Sequence, residues 1–174
     1  DSWQAPGVWS YGAVEVGPTG EPLTITGCAE VPFEASMQAQ PTTSDAESPS
    51  GLTFDLRMAQ NEYPEGLRSS DLRDAIVSLP EGMAIDPSSA GGLSSCSPAQ
   101  IGLGEDSQPT CPDSSKIGSV EVDSPLIENP LDGGVYLAQQ GQNKFGSLLA
   151  LYLVVNDPGT GVLLKIPGKI DTDP

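Results

Sequence analysis

Leu148-Leu149-Ala150-Leu151-Tyr152-Leu153-Val154-Val155 runs into Asn156-Asp157-Pro158-Gly159-Thr160-Gly161 and then into Val162-Leu163-Leu164-Lys165-Ile166. The first segment is apolar at odd and even positions alike, the pattern of a central strand covered on both faces. It is far shorter than the ~20 residues of a membrane-spanning helix. The second segment is a turn by composition: Pro158 presets its own φ, and Gly159 and Gly161 accept positive φ. The third returns as the partner strand of a hairpin.

Working outward, the same grammar recurs. Leu52, Phe54, Leu56 and Met58 alternate with Thr53, Asp55 and Arg57, the period of two that places one face of a strand inward. Shorter strand-like runs occupy residues 23–26, 36–40 (closed by Pro41), 72–79 (Ala75, Val77 and Leu79 inward), 83–85, 117–122 (Val120 and Val122 inward) and 134–139. With 20 Gly and 17 Pro between them, helical periodicity is nearly absent. Seven or more short strands punctuated by turns predict an all-β fold, an antiparallel β-sandwich with at most one or two short helical turns.

The chain has three cysteines and no histidine. Cys96 and Cys111 bracket a Pro/Ser/Gly loop and suit a disulfide, leaving Cys28 unpaired or bonded outside the segment. Closing that loop contributes roughly 3 kcal/mol in the chain-entropy model. It would order a stretch too poor in apolar groups to order itself. Within the loop, Ser97 is placed to cap one helical turn that begins at Pro98.

The formal net charge is −17, with seven scattered Lys and Arg against 24 acids. Nucleic acid and anionic membranes are therefore not expected partners, because binding them needs clustered cations. Without histidine, Ser-His and Cys-His nucleophile pairs lack their base, and imidazole zinc sites are excluded. No Walker loop and no dinucleotide fingerprint is present. Carboxylates remain, but nothing singles out a pair flanking a cleft, and the expectation is a non-enzyme.

Two weaker possibilities are carried by particular residues. Asn156 and Asp157 in the turn, with Asp171 and Asp173 near the end, supply the oxygen ligands that calcium takes, although Asp and Asn also form turns unaided. Trp3, Trp9 and Tyr11 would make an aromatic platform for a carbohydrate, or would cover a sheet edge.

Four segments resemble a group of very large, secreted, uncharacterised actinobacterial proteins. They are GCAEVPF at residues 27–33, LPEGMAIDPSSAGGLSSCSPAQI at 79–101, CPDSSKIGSVEV at 111–122 and GSLLALYLVVNDPGTGVLLKIPGKI at 146–170. Residues 72–85 also look like immunoglobulin-like repeats of bacterial surface proteins. The resemblance implies an extracellular or cell-surface location, modular immunoglobulin-like β architecture and adjoining domains of the same polypeptide as partners. It further implies that a cysteine in a neighbouring segment partners Cys28. It brings no catalytic residues.

The start at Asp1 and the end directly after a strand-like run lead us to expect a piece of a longer chain. In it, residues 1–27 would be a flank continuing from a preceding domain. Residues 28–174 would be the sandwich, truncated at its C-terminal end. The expected role is a non-catalytic structural or adhesive module. The alternative is a module binding a glycan or a cell-envelope component through the N-terminal aromatics.

Overall fold

The computed structural model describes residues 30–45, 47–60, 69–70, 72–78 and 91–171. The expected runs at 23–26 and 83–85, the boundary between residues 27 and 28, Cys28, Trp3, Trp9, Tyr11 and Asp173 lie outside them. The chain divides into two compact units, residues 1–78 and 79–174. Both are built from antiparallel strands, so the chain is all-β as its alternation requires. Helical structure takes the form of short turns such as Pro98–Ile101 and Asp113–Ser115.

In the first unit, β1 (Ala35–Pro41) pairs with β2 (Leu52–Met58). Residues directly opposite in an antiparallel ladder share a face. The register Ala35↔Met58, Met37↔Leu56, Ala39↔Phe54 and Pro41↔Leu52 therefore gathers the apolar side chains of both strands on one side. The polar side carries Asp55 and Arg57, joined at 2.8 Å in an exposed ion pair. Two strands are too narrow to bury that apolar side by themselves, and Phe54 remains 50% exposed.

Residues 72–78, within the run 72–79 expected as a strand, form no strand. Ile76 is 92% exposed, and the Arg73–Asp74 ion pair joins sequence neighbours only. Alternation supplies one apolar face, but a strand is completed only by a neighbour that accepts its backbone hydrogen bonds. Among the described residues no neighbour does so.

The second unit holds β3 (Lys116–Val122), β4 (Leu131–Leu137), β5 (Ala150–Asp157) and β6 (Val162–Lys169), a four-stranded meander in sequence order. The β5–β6 hairpin is the one read from residues 148–166, and β6 extends three residues beyond it. In its turn Gly161 has φ of 76°, whereas Gly159 does not use positive φ. The Gly161 N–H bonds to the Asp157 carbonyl at 2.9 Å and closes the turn.

Register sorts this sheet into two faces. One carries Tyr136, Ala150, Tyr152, Val154, Lys165 and Pro167; the other carries Val120, Val135, Leu151, Leu153, Leu164 and Ile166. The loop 91–115 lies over the first. Cys96 joins the end of β4 there: its N–H donates to the Leu137 carbonyl at 2.8 Å, and its own carbonyl accepts from Gln139 N–H at 2.9 Å. Cys96, Ile101, Ala138, Ala150, Tyr152 and Val154 form the buried core between loop and sheet, with Leu103, Cys111 and Tyr136 packed around it.

The centre of the sheet has no room to spare. A Cβ on Gly133 would strike the Val154 carbonyl and lie 2.8 Å from Val120 Cγ1. Gly133→Ala should therefore destabilise the second unit by about 1 to 3 kcal/mol, read as a lower urea midpoint. A midpoint equal to that of the parent would contradict this packing.

A disulfide-closed loop with a lysine anchor

The loop over the sheet is built from local rules. Ser97 caps the turn Pro98–Ile101 by accepting from the Gln100 N–H, while the Gln100 side chain accepts from the Ser97 N–H at 2.9 Å. This reciprocal pair satisfies donors that a short helix leaves open. The turn delivers Ile101 into the core, where it is fully buried. Gly102 ends it in the left-handed conformation, φ 55°. Beyond it the Thr110 N–H bonds back to the Gln100 carbonyl at 2.8 Å.

Cys96 and Cys111 are bonded, with sulfurs 2.03 Å apart and a sequence separation of 15. This is the pairing expected from the sequence.

A second fastener was not legible as such. Lys165 on β6 directs its ammonium into the loop and donates to the carbonyls of Gly102, Glu105 and Ser107 at 2.9, 3.0 and 2.6 Å. An ammonium has three donors, and all three are engaged. A lysine in the middle of Val-Leu-Leu-Lys-Ile, on the face that Pro167 and Tyr152 also occupy, was the available signal. It marks a charge facing a covered surface, where it needs partners.

Asn143 orders the β4–β5 connection in a comparable way. It is 7% exposed, donates to the Gln139 and Ser147 carbonyls, and accepts from the Phe145 and Ser147 N–H groups at 3.1 Å. Sequence alone carried no signal for it, because an asparagine in a polar connection resembles any turn residue.

Loop, connection and sheet enclose an open groove of about 600 Å³, lined among others by Pro98, Leu103, Glu105, Asn143, Tyr152 and Lys165. Its fixed polar groups are largely engaged with one another: Lys165 and Asn143 as above, and Glu105 with the Ser107 hydroxyl at 3.1 Å. Tyr152 is 1% exposed, and its hydroxyl has no hydrogen-bond partner among the described residues. Burial pushes its pKa up, so the phenol is neutral at physiological pH.

The candidate cation ligands occupy other places. Asn156 and Asp157 are consecutive on β5 and so point to opposite faces. Asp157 accepts from the Thr160 hydroxyl at 2.7 Å and from the Gly159 and Thr160 N–H groups, which holds its carboxyl below the usual range. Asp171 accepts from the Lys169 ammonium at 2.7 Å. Among the described residues no three acidic or cysteine side chains converge in a group that could hold a metal ion. No described helix is long and apolar enough to cross a membrane.

Comparison of the chain with protein-family models, with curated proteins and with solved structures finds no match in any of the three.

Three outcomes follow from that geometry. Lys165→Met should cost about 2 to 4 kcal/mol, because three carbonyls lose a charged donor. Its signature would be faster amide exchange at residues 102–110 before the sheet is affected; uniform exchange changes would contradict the anchor. Tyr152→Phe should leave stability unchanged or raise it by up to ~1 kcal/mol, since the lost hydroxyl is unpaired. Tyr152→Ala should cost about 3 to 5 kcal/mol. A large loss in Tyr152→Phe would show that the hydroxyl has a partner.

Asp157 has a lowered folded-state pKa, so its contribution is present above the unfolded value of ~3.9 and is lost as pH falls through the folded value. Thr160→Val, which removes the chief donor, should move the Asp157 carboxyl titration upward by NMR. An unmoved titration would contradict the assignment.

Proposed function

We propose that the chain is a non-catalytic structural or adhesive module of a large secreted or cell-surface protein, with adjoining domains of the same polypeptide as its partners. One observation carries this reading. The best-organised polar constellation among the described residues, Lys165 with three loop carbonyls, is directed at holding the loop on the sheet. The disulfide beside it has the same task, and a structural disulfide is at home in an oxidising compartment. The formal charge of −17 adds solubility and speaks against nucleic-acid partners.

The test is made on the producing cell. Surface biotinylation and fractionation should recover the chain outside the membrane with Cys96 and Cys111 oxidised. Recovery in the cytoplasm with both thiols reduced would end the reading. A glycan array addresses the adhesive half: binding abolished by Trp3→Ala with Trp9→Ala would replace the structural role with ligand recognition through those aromatics.

A further inference from the structure

Residues 72–78 are the last of the first unit and directly precede the second in the chain. All seven are exposed, Ile76 almost entirely so, and none belongs to a helix, strand, turn or bend. The Arg73 guanidinium and the Asp74 carboxylate pair with each other at 2.7 Å. Ahead of the run, the Ser70 N–H is tied to the Pro32 carbonyl at 3.0 Å.

These features are what an endopeptidase requires. A cleft that binds a peptide as an added strand supplies the backbone hydrogen bonds itself. A segment already held in a ladder or turn has to leave it first, and only the opened fraction is cleavable. Where that fraction is ~1 in 100, cleavage slows by the same ~100-fold.

Other exposed stretches carry such holds. The connection 42–51 is closed by the Thr42 N–H on the Gly51 carbonyl and the Gly51 N–H on the Thr42 hydroxyl. Residues 102–107 are clasped by Lys165 inside the disulfide loop, where a cut would leave the pieces joined. In 123–130 the Ile127 N–H returns to the Ser124 carbonyl at 3.1 Å, and Pro125 and Pro130 fix the backbone and remove two N–H groups. Residues 72–78 contain neither proline nor glycine.

The residue types narrow the enzyme. An arginine is read by an anionic S1 pocket. Asp74 follows Arg73 directly, so a cut between them would bring a second negative charge to that pocket. Two residues on, Ala75 is small enough for the narrow S1 pocket of an elastase-type enzyme. Beyond it, Ile76 offers a large aliphatic side chain that is free to enter the next pocket.

We propose that residues 72–78 are an endoproteolytic processing site, cut at the Ala75–Ile76 bond by an extracellular endopeptidase with a narrow apolar S1 pocket. Water is the co-reactant: its hydroxyl joins the Ala75 carbonyl carbon and its proton goes to the Ile76 nitrogen as the amide bond breaks. Strands β3 to β6 and the Cys96–Cys111 disulfide all follow the cut, so the product 76–174 keeps them. The extracellular setting rests on the structural-module reading; the bond and the class of enzyme do not.

Brief digestion of the oxidised full chain with pancreatic elastase under native conditions, read by intact mass, tests the site. The first products expected are residues 1–75 and 76–174, the second with its disulfide intact. Ile76→Pro removes the N–H after the bond and should slow that cut by ~100-fold or more. Ala75→Phe overfills the S1 pocket and should slow it by ~10-fold or more. Both positions are exposed, so the variants should keep the parent's amide exchange in the second unit. A first cut at any other bond, or an unchanged rate in a folded Ile76→Pro variant, overturns the proposal. Terminal sequencing of the chain recovered outside the producing cell should find a fraction that starts at Ile76; recovery there with the bond wholly intact overturns the processing role. These failures leave the structural-module reading standing, whereas recovery in the cytoplasm removes that reading and leaves the elastase result to decide the site.

Discussion

A sheet with two apolar faces needs a layer on each, and one of those layers here is a loop with very little apolar substance of its own. That constraint organises the second unit. The loop contributes Cys96, Ile101 and, in part, Leu103 and Cys111 to the core, against Tyr152, Val154, Ala138 and Ala150 from the sheet. Burying one such apolar side chain is worth about 1.5 to 3 kcal/mol, and ordering one residue costs roughly 1 to 2 kcal/mol in backbone entropy alone. A stretch of this length with so few buried groups is not ordered by burial. The disulfide lowers the entropy of the unfolded loop, and the Lys165 ammonium gathers three of its carbonyls at one point.

The parts of this arrangement that depend on local chemistry were legible in the sequence. The hairpin around residues 156–161, the cap at Ser97 and the Cys96–Cys111 pairing each follow from residues close in the chain or from an unambiguous partner choice. Positions that depend on what lies across a layer were not legible. The apolar alternation of β2 gave the strand correctly, but not that Phe54 would be half-exposed, because burial depends on a neighbouring layer. The segment 72–78 alternates in the same way and pairs with nothing among the described residues. Gly159 shows the same limit on a smaller scale: composition identified the turn, but Gly161 alone of its two glycines takes positive φ.

The polar residues that matter most were read least well. Lys165 is one of seven scattered basic residues by composition, yet its ammonium donates to three loop carbonyls. Asn143 has no signal beyond its residue type. Of the acids expected as calcium ligands, Asp157 accepts from its own turn's donors and Asp171 from Lys169. Such uses are what short polar side chains do most often in turns. The groove beside Lys165 accordingly has the character of a seam between loop and sheet.

The central claim is that the covalent closure at Cys96–Cys111 is what makes the loop a stable layer. Hydrogen exchange read residue by residue, on the oxidised chain and on Cys96→Ser with Cys111→Ser, tests it directly. The account predicts that residues 97–110 lose most of their protection in the double variant, that Tyr152 becomes accessible, and that global stability falls by about 3 kcal/mol while the β5–β6 ladder persists. Unchanged protection across residues 97–110 in the variant would contradict it.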